Sequence, residues 1–150
     1  MPEIVHAPAR HLAAVEFHTD VAHIGEHIGA AYGAVEQYLT GAGTPPSGPA
    51  FAYYRNFTKD GFDGAAGFEV ATPIEGDGHV VPVDLPAGDV ATETHLGPYD
   101  TLEHTYEALA AWAAREGHDL DLSTAWEEYW SPPGTPAEEI RTVIYVPVKT

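Results

Sequence analysis

Apolar positions along this chain switch between two spacings, and the switches mark out the elements. Residues 10–19 (RHLAAVEFHT) alternate and read as a strand with Leu12, Ala14 and Glu16 on one face. Over 21–40 the period lengthens, and Ile24, Ile28, Ala31, Val35 and Tyr38 fall on one helical stripe. Asp20 is the expected N-cap of this helix and Gly41 its expected C-cap, with Pro45 and Pro46 blocking continuation. Strand spacing returns at 50–58 (AFAYYRNFT), and a turn cluster follows at 59–64 (KDGFDG). Further strands are expected at 65–74, at 79–85, where Pro82 implies an edge position, and at 89–96. A second helix over 101–116 carries Leu102, Tyr106, Leu109 and Ala113 as its core stripe. Asp100 is its expected N-cap, Glu103 completes a capping-box pattern, and Gly117 closes it. The chain then runs through strands at 125–130 and 139–148, separated by a Pro/Gly turn at 131–138.

The order is strand, helix, strand, strand, twice over, with halves at about 1–78 and 79–150. The halves also match in sequence at an offset of about 75 residues. Pro49-Ala50-Phe51-Ala52-Tyr53-Tyr54 parallels Thr124-Ala125-Trp126-Glu127-Glu128-Tyr129, and Val70-Ala71-Thr72-Pro73-Ile74 parallels Ile144-Tyr145-Val146-Pro147-Val148. Tyr54 is thus the counterpart of Tyr129, and Ala52 the counterpart of Glu127. One strand-helix-strand-strand unit has a single apolar sheet face and a short core, so two would pair. The expected fold is an antiparallel α+β domain over 1–150, built of duplicated βαββ modules with a cleft where the two lobes meet.

The chemistry concentrates in Ala125-Trp126-Glu127-Glu128-Tyr129-Trp130. Strand alternation puts Glu127 and Tyr129 on one face, and Trp126, Glu128 and Trp130 on the other. If one face is covered, one glutamate looks inward, and alternation alone does not choose between them. The tryptophans on Glu128's own face favour Glu128 by pattern. A carboxylate buried among aromatic rings is costly unless compensated. It either awaits a cation or carries a raised pKa and can act as an acid.

Composition narrows the partners. Six Lys and Arg face 23 Asp and Glu, a formal net charge of -17. Such a surface repels nucleic-acid phosphates and anionic membranes, and it attracts cationic small molecules or basic protein patches. Cysteine is absent, which removes disulfides and thiolate chemistry and fits a cytoplasmic protein. The first ten residues lack the apolar core of a signal peptide, and no apolar run reaches the length of a membrane span. His23-x-x-Glu26-His27, with His18 and His95, has metal-capable residue types, but it reads as a solvated helix face. No metal and no cofactor are expected, since no phosphate loop or dinucleotide fingerprint stands out.

The chain resembles the GyrI-like small-molecule-binding superfamily, which includes effector-binding domains of AraC-type and MerR-type regulators and stand-alone proteins. The resemblance is carried by Leu85-Pro86-Ala87-Gly88, His95-Leu96-Gly97-Pro98-Tyr99, the helix through Leu109 and Trp112, Glu127-x-Tyr129, Pro132 to Glu138, and Arg141 to Val148. It implies two βαββ modules around a cleft, with the E-x-Y glutamate at the floor among aromatics. That selects Glu127 over Glu128, with Tyr129 two residues on. The repeat adds Tyr54 as the counterpart of Tyr129, and Tyr99 and Trp112, on or before the second helix and off its core stripe, and Tyr145 on the last strand are further candidates around the ligand. Because the first strand begins near Arg10, no DNA-binding helices are expected ahead of the module.

The resemblance implies binding of lipophilic cationic or aromatic small molecules, with Glu127 pairing to the charge. Some stand-alone relatives are hydrolases of cyclopropane-containing natural products. On that alternative Glu127 would be the general acid or base and Tyr129 would assist. A third reading is an interaction module that docks its acidic face on a protein partner.

Overall fold

The computed structural model describes residues 2–20, 22–44, 46–58, 60–131 and 134–149. The expected helix start at Val21, the helix-blocking Pro45, the turn residue Lys59, and Pro132 and Pro133 of the last turn lie outside the described residues. The first half runs β1 (Glu3–Ala7), β2 (Arg10–Thr19), α1 (Ile24–Ala42), β3 (Ala50–Thr58) and β4 (Gly61–Val70). The second half repeats this as β5 (Val81–Leu85), β6 (Gly88–Leu96), α2 (Leu102–Arg115), β7 (Ala125–Tyr129) and β8 (Arg141–Pro147). Among the described residues these strands form one antiparallel sheet in the order β1-β6-β8-β7-β3-β4-β2-β5. The fold is α+β and two-lobed, as the pattern predicts, with the sheet curled into a half-barrel.

Read outward from the central β3–β7 pair, one side runs β4, β2, β5 and the other β8, β6, β1. The two sides are images of each other. The outermost strand of each comes from the opposite half of the chain: β5 completes the first lobe and β1 completes the second. The edge position of β5 follows from Pro82, which has no N–H to offer a further strand. β1 is not among the elements the alternation predicts. It is only five residues long, and Pro8 follows it closely.

Each helix packs its stripe on one lobe. Ala31, Val35 and Leu39 of α1 join Ala13, Ala66 and Val70, while Leu109 and Ala113 of α2 join Ala91, Ile144 and Val146. The helix ends differ from expectation in small ways. Asp20 accepts the His23 backbone N–H at 3.1 Å one turn ahead of α1, which begins after His23. The helix runs through Gly41 and stops at Gly43, whose φ of 70° ends it in the left-handed conformation. At α2 the expected capping box does not form. Asp100 sits in a 3₁₀ turn over Tyr99–Thr101, and the Thr101 hydroxyl donates to the Pro98 carbonyl. The glycine-rich stretch expected as a turn already belongs to β4 from Gly61. Glycine serves there to admit close neighbours: a Cβ on Gly64 would lie 2.5 Å from the Phe17 ring, and one on Gly67 1.8 Å from the Ala13 carbonyl oxygen.

The sheet face away from the helices is also closed. Ala7 of β1 and Val83 and Leu85 of β5, from opposite ends of the sheet, meet there in one cluster with Phe51 and Trp126. The expectation that only one of the two β7 glutamates is inward is therefore corrected. Both are buried, Glu127 at 4% and Glu128 at 3% exposure, because both faces are covered. Glu128 is compensated by a resident cation. Arg10 Nη1 donates to its Oε2 at 3.0 Å and to Glu69 Oε1 at 3.4 Å, with the guanidinium 5.4 Å above the Phe51 ring. The Tyr145 hydroxyl donates to Glu128 Oε1. Among the described residues no helix is long and apolar enough to cross a membrane.

Removing Arg10 should leave Glu128 buried without its counter-charge. Arg10→Met is expected to destabilise the protein by about 2–3 kcal/mol, and the double change Arg10→Met with Glu128→Leu to recover most of it. Urea unfolding of the singles and the double measures this coupling. Full additivity of the two single effects would contradict it.

Candidate functional site

β7 places Glu127 at the centre of the sheet, between Ala52 of β3 and Ile144 of β8. Ala52 has no bulk to cover the carboxylate, so the Glu127 side chain stands in the gap between the two helices. Tyr129 lies two residues on, on the same face. Tyr54 of β3 stands on the other side of the Ala52–Glu127 pair, opposite Ala125, and its hydroxyl reaches to within 3.2 Å of that of Tyr129. Both tyrosines donate to Glu127 Oε1, Tyr54 at 3.3 Å. Tyr106 of α2 reaches down and donates to Oε2 at 2.6 Å.

These side chains form the floor of a cavity of about 1570 Å³ between α1 and α2. Its walls are mostly aromatic and aliphatic, including Ile28, Tyr32, Phe62, Phe68 and Leu102. Tyr99 stands at the mouth, 52% exposed, with its ring edge-on to Tyr129 at 5.8 Å. Trp130 also lines the cavity and is 49% exposed.

Burial pushes the Glu127 carboxyl above the ordinary value of about 4.5, and the hydroxyl donors Tyr106, Tyr129 and Tyr54, with nearby His95, pull it part of the way back. Burial, and then the negative charge of Glu127, hold the Tyr54, Tyr106 and Tyr129 hydroxyls well above the ordinary phenol value. All three therefore stay protonated donors at neutral pH. Among the described residues no Lys or Arg forms an ion pair with Glu127, in contrast to Glu128. The site can accommodate a neutral acid, or a carboxylate whose positive partner arrives from outside.

Four of the six residues named from sequence come together here: Glu127, Tyr129, Tyr54 and Tyr99. Two do not. Trp112 packs against the α2 core and stacks on His118 at 5.8 Å. Tyr145 is on the opposite face of the sheet, bonded to Glu128 and stacked on Trp126 at 6.0 Å. Alternation along β8 explains this, since the residues that face α2 are its neighbours Ile144 and Val146. Tyr106 and Tyr32 line the cavity too, although helical spacing gives Tyr106 only a place on the core stripe and does not mark Tyr32. The repeat could have found both, because each half carries a tyrosine at the same place on its helix.

His95 is a support that its residue type alone does not reveal. It is 6% exposed beneath the start of α2. Nε2 lies 2.9 Å from the Pro98 carbonyl, which can only accept, so Nε2 carries a proton and donates there, while Nδ1 lies 2.6 Å from the Thr105 hydroxyl. The ring thereby holds Gly97-Pro98-Tyr99 at the cleft mouth. His23 and His27 are elsewhere: His23 pairs with Asp20, and His27 stacks on Phe17.

The family of GyrI-like small molecule binding domains matches residues 1–149. The chain belongs to that family. No curated protein sequence matches it. Among solved structures, the C-terminal domain of EcmrR superposes with a TM-score of 0.84 at 21% identity, covering 100% of this chain and 98% of that one. Against the EcmrR chain in its complex with DNA, the TM-score is 0.81 at 21% identity, and the match covers 100% of this chain and 57% of that one. A hydrolase from Listeria innocua superposes at 0.71 with 15% identity, covering 99% of this chain and 91% of that one. SAV2435 bound to tetraphenylphosphonium does so at 0.67 with 11% identity, covering 99% and 94%. At these identities the likeness is one of fold.

The direction of the Glu127 shift sets a pH dependence. Its folded-state value lies above the unfolded one, so its contribution to stability is complete below the unfolded value and is lost as pH rises through the folded value. Glu127→Gln removes this loss. The melting temperature of Glu127→Gln relative to the native protein should therefore increase from acid to neutral pH. A difference that stays flat across that range would contradict the assignment.

Proposed function

We propose that the cleft binds amphipathic cationic or aromatic small molecules and that Glu127 pairs with their positive charge, as in multidrug binding or sequestration in the cytoplasm. The observation that carries this reading is a carboxyl buried at the floor of a large aromatic cavity, held by neutral hydroxyls and without an ion-paired Lys or Arg among the described residues. A cation entering the cleft would supply the missing charge in a site from which its own apolar body excludes water. Each aromatic face within reach adds about 0.5–2 kcal/mol. The net charge of -17 draws such ligands in and disfavours direct contact with nucleic acid. The tetraphenylphosphonium bound to SAV2435 is a ligand of this type on the same fold.

A second reading is supported by the raised pKa of Glu127 and by the Listeria innocua hydrolase among the structural neighbours. Glu127 would take a proton from a water whose oxygen bonds to a strained cyclopropane carbon; the ring C–C bond at that carbon breaks, its electron pair goes to the neighbouring ring carbon, and Glu127 returns the proton there, with Tyr129 and Tyr54 positioning the substrate. Mass spectrometry would then find a product heavier by one water. A rate unchanged in Glu127→Gln would rule this mechanism out.

Trp130 in the cleft wall provides the readout for the first reading. Tetraphenylphosphonium should change its fluorescence, whereas tetraphenylborate, of the same shape and opposite charge, should not. Glu127→Gln should weaken the cation by about tenfold or more, as loss of a desolvated charge pair implies. Equal affinity for the two ions, or an affinity unchanged in the variant, would sink the proposal.

A further inference from the structure

The cavity has a symmetry that its single charge lacks. Ala52 and Glu127 are counterparts in the two halves, and they are also each other's cross-strand partners. They therefore lie on the pseudo-twofold axis that relates the lobes. Around them the register is self-consistent: Ala50 faces Tyr129 just as Ala125 faces Tyr54. The helices obey the same relation. Tyr32 and Tyr106 each precede, by the same interval, the left-handed glycine after the helix, Gly43 in one half and Gly117 in the other. Ile28 and Leu102 lie one turn before those tyrosines, and all four residues line the cavity.

The space above the sheet is thus two similar apolar chambers, one under α1 and one under α2, with a single buried carboxylate between them. The remaining carboxylates around the cavity, Glu36, Asp100, Glu103 and Glu107, are exposed and solvated at its rim. Its volume of about 1570 Å³ exceeds the roughly 300–1,000 Å³ of an ordinary small-molecule site. An alanine on the axis opposite Glu127 leaves that centre open to both sides.

We infer that the ligands of this cleft are monocations whose positive centre is flanked by two apolar arms, one arm taken by each chamber. This rests on the proposed pairing of a cation with Glu127 and specifies where the charge must sit in the molecule. A cation with its charge at one end can fill only one chamber while it touches Glu127. A central charge lets both arms be buried at once.

Two isomeric probes separate these cases in the unmodified protein. Dibenzyldimethylammonium has a central charge and two aryl arms. 4-Phenylbenzyltrimethylammonium has the same atoms with both rings on one side of the charge. Calorimetry should show one dibenzyldimethylammonium per chain, bound about tenfold or more tightly than its isomer. Ile28→Trp and Leu102→Trp, which narrow one chamber each, should both weaken it by a similar factor. Each should leave the one-armed benzyltrimethylammonium within about threefold, since the other chamber remains open to it. Equal affinity of the isomers, two molecules per chain, or an effect confined to one chamber would overturn the inference. If tetraphenylphosphonium still binds through Glu127 in that event, the cation reading stands without it. If no cation binds at all, both fall together.

Discussion

At the middle of the sheet, β3 and β7 pair so that the smallest practical side chain, Ala52, lies opposite a carboxylate, Glu127. This pair governs what the rest of the molecule must do. A larger residue at 52 would cover the carboxylate with sheet side chains and close the gap between the helices. A charged one would place two ionic groups on the axis, where each would need its own compensation. With alanine there, the helices stand apart over a floor whose one polar feature is held by tyrosine hydroxyls from three separate elements, β3, α2 and β7.

Two consecutive glutamates make the contrast plain. Glu128 faces the closed side of the half-barrel and is neutralised within the fold by Arg10, with Tyr145 adding a hydrogen bond. Glu127 faces the open side and receives hydroxyl donors of no net charge. A buried ion pair supplies a carboxylate's counter-charge from within the fold, whereas neutral donors leave that charge to be supplied by what enters the cavity. The same strand therefore carries one carboxylate committed to holding the structure and one left available to a ligand.

Much of this was legible beforehand. β2, β3 and the two-lobed arrangement follow from alternation and from the repeat. The resemblance and strand spacing point Glu127 and Tyr129 to one face, and the repeat makes Tyr54 the counterpart of Tyr129; Tyr99, in the turn before α2, meets them at the cavity mouth. The failures have physical causes. β1 is too short to show a period, and it gains its stability from pairing with a strand far along the chain. The start of β4 looks like a turn because Gly61 and Gly64 make room for the Thr19 carbonyl and the Phe17 ring. Tyr106 reads as packing because a helical stripe marks only the direction of a side chain, and its hydroxyl finds Glu127 beyond the core it lies on. Tyr145 and Trp112 are aromatics on elements that border the cleft, but Tyr145 lies on the opposite face of the sheet and Trp112 packs on the α2 core.

The exchange of β1 and β5 between the lobes bears on how the cleft can behave. Each lobe is finished by a strand from the other half of the chain, so neither half would retain its full sheet if the two were separated. Opening the cleft like a hinge would strain those two straps as well as the central pair. Adaptation to ligands of different size is therefore left to the helices and side chains above the floor. The arrangement is also what two copies of a half-length ancestor would form by trading their first strands. On that history the cleft began as a subunit boundary, and fusion into one chain allowed its two sides to diverge until only one carried the acid.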